Sequence, residues 1–475
     1  MKDLESKYIF NPYYTLINDN LRIILLNSSA FRIPIEIAED GISAFIHPVH
    51  AVAFSLFNGE NSLEFCLSKI SELFDATLEE SYNFISPFFD NEKRVGIEYG
   101  GDWFEFPRNI LLNNSSKNYT ARNISYQDYF IDEKLDFQTV RLFKSPTSIN
   151  LLVNTVCLTD CIYCYVQRDK RMNCKIPIEK LCELISNAKK LNVVDFDISG
   201  TEVFLYEHWD ILLENLLKNG YYPYLSTKIP LTKKDIQKIK DIGINDLQIS
   251  IDTARNEESK IVNNIKVDNY ILQIFETLRN TEEIGLKISI NTVLTKYNYS
   301  FEGIELLLNQ INCNNNIEKV TFNPAASSFY CSEDHFNTFK LTLKEIKDIE
   351  IFIDKIKSAY PFEIILAGYE DINEYKKSFV EKEKIFNKRA ICTANISQFC
   401  ILPDGQVTIC EELYWQPNFI IGNILTNTID EIWQSKKALD LYKITKRKFH
   451  TTVHVRLVIL STPVEGKKEF VGVMY

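Results

Sequence analysis

Short runs of alternating apolar and polar residues come first. Within residues 9–25 and just past them, PYYTLIN and LRIILLN, parted by Asn18-Asp19-Asn20, predict two strands joined at a turn. The apolar period then lengthens to that of helices. Pro48–Phe57 reads as a helix stopped by Asn58-Gly59, Ser62–Leu73 as a second, and a third runs from an Asp75 cap through Phe88. VGIEY–GGD–WFEF predicts a hairpin turning at Gly100-Gly101. Together these make a winged-helix arrangement over residues 1–106, followed by a linker over 107–146 that carries the polar run NNSSKN.

From Ser148 the rhythm changes. INLLVN, VVDFDISG, YYPYLST, DLQISID, LKISINTVL and KVTFNPA read as strands, alternating with amphipathic helices such as Pro177–Leu191, His208–Asn219 and Leu231–Ile242. Six β-then-α units predict an α/β fold with a parallel sheet over 147–334, either open or a partial (β/α)6 barrel. Ligands of such sheets bind at the carboxyl ends of the strands. Residues 335–389 read as a charged helical connection. FCIL–PDG–QVTIC then predicts a hairpin, with a short helix around Ile429–Ser435.

At 475 residues the chain is long for one core, so two to four domains are expected. A 45% hydrophobic, 25% charged composition is that of an ordinary globular protein. The net charge of −11 argues against nucleic-acid binding, which needs a basic footprint. No run approaches the roughly 18 apolar residues that span a bilayer. MKDLESKYIF lacks the basic start and apolar core of a signal peptide, so a cytoplasmic setting without membrane partners is expected. In that setting eleven cysteines point to metal or redox chemistry over disulfides.

Cys157, Cys161 and Cys164 lie just past the first strand of the βα run. Three thiolates in one short loop can hold a cubane cluster and leave its fourth iron free for a small molecule. Zinc is the competing occupant, but a structural zinc takes four ligands and no fourth Cys or His lies nearby. C-x3-C-x2-C with an aromatic before its last cysteine, at this place in a six-fold βα run, resembles the radical S-adenosylmethionine (radical SAM) superfamily. The likeness covers residues 147–325. It implies a [4Fe–4S] cluster with an open iron, S-adenosylmethionine (SAM), an external electron donor, and hydrogen abstraction by a 5′-deoxyadenosyl radical. It also implies that the end of the second strand, Gly200, Thr201 and Glu202, binds the methionine amino group, with Thr201 and Val203 where Gly and Pro are usual. Ser226, Ser250 and Asn291 match the positions that hold ribose and carboxylate.

A second group, Cys392, Cys400 and Cys410, surrounds the turn Pro403-Asp404-Gly405. It resembles the opening C-x9-15-G-x4-C of the SPASM auxiliary-cluster domain, here over 390–449, and implies one or more auxiliary [4Fe–4S] clusters. Buried reduced cysteines in a hairpin are the alternative; Cys66, Cys174, Cys182, Cys313 and Cys331 read as ordinary. That domain's closing C-x2-C-x5-C is absent, and residues 450–475 are atypical. Val455, Val458, Val464 and Val471 are spaced so that a shifted frame reads C-x2-C-x5-C-x6-C, so the tail reads as a frame error or pseudogene end. The N-terminal region resembles the leader-recognition domain of maturases acting on ribosomally made precursor peptides. The combined resemblance implies a peptide maturase of the thioether or carbon–carbon crosslink class, with an epimerised residue left open as a third product. A sulfatase-type or other protein-modifying maturase, or a catalytically dead peptide-binding protein, are the alternatives.

Overall fold

The computed structural model describes residues 2–27, 43–114, 124–167, 170–199, 201–265, 269–328, 330–367 and 393–449. The chain divides into two compact units, Met1–Thr147 with Lys189–Asp195, and Ser148–Ala188 with Phe196–Tyr475. Gly200, Cys392 and the tail from 450 lie outside the described residues.

In the first unit, β1 (Lys7–Phe10) lies between the later strands β5 (Asn58–Ser62) and β8 (Leu111–Asn113), antiparallel to both. β2 (Tyr14–Asn18), β3 (Ile23–Asn27) and β4 (Ser43–Ile46) form an antiparallel sheet in that order. Helices α1 (Pro48–Ser55), α2 (Leu63–Phe74) and α3 (Leu78–Ile85) fall where the apolar period placed them. The hairpin of β6 (Val95–Tyr99) and β7 (Asp102–Phe106) turns at Gly100 and Gly101, both at positive φ, as a two-residue hairpin turn requires. Tyr8, Phe54, Phe57, Phe88 and Phe106 fill the core.

Two expectations are corrected. The cap of α3 is Thr77, whose side chain and that of Glu80 reciprocally satisfy the first turn, while Asp75 ends α2 in the left-handed region at φ 50°. The stretch expected as linker is partly built into the unit. β8 extends the β1 sheet, and the buried Arg22 guanidinium donates to the carbonyls of Asp136 (3.4 Å) and Arg141 (2.9 Å). The unit is thus small sheets and helices combined.

The second unit holds the six expected strands: β9 (Ser148–Leu152), β10 (Asp195–Ser199), β11 (Ser226–Thr227), β12 (Asp246–Ser250), β13 (Lys287–Leu294) and β14 (Ile317–Pro324), with β9 and β10 in one sheet and β11 to β14, all parallel, in another. The intervening helices are α4 (Ile178–Lys190), α5 (Trp209–Lys218), α6 (Lys233–Ile242), α7 (Asn256–Val262), α8 (Tyr270–Ile284) and α9 (Phe301–Ile311). YYPYLST contributes only two residues of strand, since Pro223 has no N–H to give a ladder. Helices α10 (Glu333–Phe339) and α11 (Leu343–Ile356) lead to β15 (Glu363–Leu366), an unforeseen strand that adds in parallel to β14.

The C-terminal hairpin, β16 (Gln398–Ile401) and β17 (Gln406–Thr408), is followed by β18 (Ile420–Asn423), α12 (Ile429–Trp433) and α13 (Lys436–Phe449). β16 pairs in parallel with β9, Cys400 opposite Asn150, so one sheet runs β10-β9-β16-β17-β18. The hairpin therefore continues the sheet from which the cysteine loop departs. Among the described residues no helix is long and apolar enough to cross a membrane.

Candidate functional site

The loop leaving β9 is closed at its base by Thr155, which donates its N–H to the Met172 carbonyl (2.8 Å) and accepts the Met172 N–H on its hydroxyl (2.9 Å). Further along, Asp160 N donates to Asn263 O at 2.9 Å, Ile162 N to Val262 O at 3.0 Å, and Cys164 N to Cys161 O at 3.1 Å. The residues between the cysteines are thereby pinned to the end of α7. The Thr159 hydroxyl lies 3.2 Å from Cys157 Sγ and 3.4 Å from Cys161 Sγ. Burial pushes the Cys157 thiol above its ordinary range, with Thr159 opposing this; coordination to iron would remove the proton outright.

A cavity of about 340 Å³ opens beside the loop, and Cys157, Cys161 and Cys164 all line it. Thr201, Glu202, Ser226 and Ser250 line the same cavity, from the ends of three successive strands. Asn291 does not. It sits one strand over, opposite Ser250, and its Oδ1 accepts from Asn323 Nδ2 at 3.0 Å. Among the described residues, no three His, Cys, Asp or Glu side chains converge on a single ion.

Glu202 is 2% exposed. Lys228 N donates to its Oε2 at 3.0 Å, while Oε1 is buried without a hydrogen bond among the described residues. Burial lifts its carboxyl to about 7, and nearby donors, led by the Lys228 amide, counter this only in part. Glu202 thus lines the cavity with one carboxylate oxygen still able to accept. Thr201, standing where glycine is usual in the resembling family, turns its hydroxyl to Asn154, whose Nδ2 holds the Glu202 carbonyl at 2.8 Å. The larger side chain therefore braces the strand end and leaves the cavity open.

Sequence reasoning missed a buried polar cluster on the same wall. Asp252 pairs with Lys228 Nζ at 2.7 Å and accepts from Tyr163 OH at 2.5 Å, from Val293 N at 3.0 Å and from Asn263 Nδ2. Burial opposes the Lys228 charge, but Asp252 and Cys161 outweigh it and hold the ammonium above its ordinary range. The available signals were Asp252 two residues past Ser250 and Lys228 two past Ser226.

Of the second cysteine group, Cys400 and Cys410 are described, on and just past the paired strands β16 and β17. Cys410 follows β17 and is half-buried. Cys400 is 2% exposed and packs in an apolar cluster with Leu152, Val166, Leu402 and Tyr414, where burial pushes its thiol well up. By spacing, twelve residues separate Cys392 from Gly405, within the C-x9-15-G range, against four from Cys400. Beside Cys410, Glu411 accepts from Asn150 Nδ2 (2.6 Å) and Ser199 Oγ (2.7 Å), tying the hairpin to β9 and β10.

The chain is similar to several known proteins. A probable GTP 3′,8-cyclase of Pyrobaculum aerophilum is 24% identical over 32% of this chain and 49% of its own length. The chain spans about half the length of the curated relatives it matches. Among solved structures, SuiB of Streptococcus suis bound to its precursor peptide SuiA aligns with TM-score 0.59 at 14% identity, covering 91% of this chain and 90% of that one. SuiB bound to S-adenosylmethionine aligns with TM-score 0.58 at 14% identity and the same coverage. At such identity the likeness shows a shared fold. Residues 151–308 match the model of the radical SAM superfamily, and 392–453 match SPASM, an iron–sulfur cluster-binding domain. These matches imply a [4Fe–4S] cluster with SAM and auxiliary iron–sulfur clusters. The chain carries a radical SAM domain followed by a SPASM domain, on a fold shared with SuiB.

Proposed function

We propose that the protein modifies a ribosomally made precursor peptide by SAM-dependent radical chemistry, forming a thioether or carbon–carbon crosslink. The observation that carries this is the single cavity lined by Cys157, Cys161, Cys164 and the buried Glu202. The three thiolates would hold the cluster. The unsatisfied Glu202 Oε1 would accept the methionine ammonium, and Ser226 and Ser250 would meet the sugar and carboxylate, with Asn291 supporting Ser250 from the neighbouring strand. When bound and reduced, the cluster would supply the electron for cleavage of SAM to methionine and a 5′-deoxyadenosyl radical able to take a hydrogen atom from the substrate.

The chain's own part is to hold these groups and exclude water. Thr201 and Asn154 fix the strand end that presents Glu202, and the Asp252–Lys228 pair closes the adjacent wall without leaving a charge unpaired. Cys392 and Cys410 would supply auxiliary-cluster ligands. An external reductant is required.

The peptide partner is supported by the fold shared with SuiB, which binds the precursor peptide SuiA. The first unit would act as a winged-helix recognition domain, taking a leader segment as an added strand, with main-chain hydrogen bonds giving affinity. The test is anaerobic incubation of the reconstituted protein with SAM, reductant and a short precursor peptide encoded beside its gene. A peptide lighter by two hydrogens, formed with 5′-deoxyadenosine and dependent on the first unit, is expected. An unchanged peptide alongside abundant 5′-deoxyadenosine would overturn the substrate assignment.

A further inference from the structure

Of the three cluster-loop cysteines, Cys161 is the most deeply placed, at 6% exposure, and its sulfur meets a side-chain amide. Asn263, just past α7 and 2% exposed, points Nδ2 at Cys161 Sγ over 3.4 Å. The same nitrogen donates to Asp252 Oδ2. Its Oδ1 is engaged by Ser259 Oγ at 3.2 Å. Ser259 donates to Oδ1, so the amide is oriented with its NH2 toward both Asp252 Oδ2 and Cys161. One amide hydrogen goes to the carboxylate and the other is left for the sulfur. The nearby Thr159 hydroxyl is different in kind: it accepts from Cys161 Sγ at 3.4 Å and lies 3.2 Å from Cys157 Sγ, where either atom can donate.

Building on the radical SAM reading, we infer that Asn263 is a positioning residue that donates a directed hydrogen bond to the Cys161 thiolate and so raises the reduction potential of the cluster. Reduction adds negative charge that spreads over the cluster sulfurs, and an N–H aimed at one of them stabilises the reduced state more than the oxidised one. The carboxylate that orients the amide would by itself act in the opposite sense. Lys228, 2.7 Å from it, neutralises that charge locally and itself acts on Cys161 in the same sense as the amide. The carbonyl of Asn263 also receives the Asp160 N–H at 2.9 Å, so the residue that tunes the sulfur also anchors the loop bearing it.

The test is a redox titration followed by electron paramagnetic resonance on the full-length reconstituted protein, with Cys392 and Cys410 changed to Ala so that one cluster gives the signal. Asn263→Ala should make reduction about tenfold less favourable, a downward shift of about 59 mV for a one-electron couple. An unchanged midpoint with a fully assembled cluster would overturn the inference. Should Asn263→Ala assemble no cluster, the unsubstituted protein decides the matter when its asparagine side-chain amides carry 15N. A 15N coupling to the reduced cluster is expected, since Asn263 is the asparagine amide that meets a cysteine sulfur of this loop among the described residues. Its absence would refute the contact. No cluster at all in the unsubstituted protein would instead refute the radical SAM reading beneath it.

Discussion

Replacing Glu202 by Gln in protein free of SAM should make the stability less dependent on pH, in one direction and by a calculable amount. Burial raises the folded carboxyl to about 7 from its ordinary 4.5. Between those values the folded chain keeps a proton that the unfolded chain has lost, so raising the pH favours unfolding. The favourable contribution of the protonated group is complete below 4.5 and is lost as pH rises through 7. At 1.36 kcal/mol per pH unit, the full excursion is about 3 kcal/mol. Gln has the same shape and does not titrate. The stability of Glu202→Gln relative to the unsubstituted protein should therefore rise by roughly 3 kcal/mol between pH 4.5 and 8, other groups cancelling in the difference. Urea unfolding at several pH values measures it, and the same gap at both ends would refute the argument. With SAM present the sign of the benefit inverts. An ionised Glu202 gains the ammonium as partner, so SAM affinity of the unsubstituted protein should rise through pH 7 while that of the variant stays low and flat.

Other consequences are local. His50 is fully buried among Phe54, Phe84, Phe88 and Phe106 with both ring nitrogens unbonded among the described residues, and burial lowers its titration from 6.5 to about 3. An unfolded His50 takes up a proton below 6.5 and the folded one does not until about 3, so stability is lost as pH falls through that window. His50→Leu should flatten this acid limb by up to about 5 kcal/mol, read by circular dichroism, and an unchanged limb would count against it. Gly405 sits at φ 82°, and a Cβ there would lie 2.8 Å from Asn423 Oδ1 and 2.9 Å from Leu425 Cγ. Gly405→Ala should cost about 2 kcal/mol or more of stability in urea unfolding, and a neutral result would contradict the turn geometry.

How much of this was legible beforehand depends on how far apart the interacting residues lie. Helices and parallel strands were readable because each carries its own apolar period, as in β13 with its alternating buried positions. Asp75 and Thr77 are both good caps, and the choice turned on Glu80 three residues past Thr77, a local signal that was available and passed over. The pairing of β16 with β9 was not readable, since nothing local to Gln398–Ile401 names a partner across the domain. The same holds for Asp252, whose partners Tyr163, Lys228 and Asn263 come from three separate loops. The three loop cysteines were conspicuous by spacing. The apolar packing of Cys400 was not readable, because a hairpin flank shows proximity to the turn but not which face of the strand is buried.

The central claim is that Cys157, Cys161 and Cys164 hold a cluster that acts on SAM. Its most direct test is anaerobic purification, reconstitution with iron and sulfide, reduction, and mass-spectrometric assay of 5′-deoxyadenosine formed from SAM, beside a variant with all three cysteines changed to Ala. Product from the unsubstituted protein and none from the variant is the predicted result. Equal product from both, or no cluster in the unsubstituted protein, would contradict it.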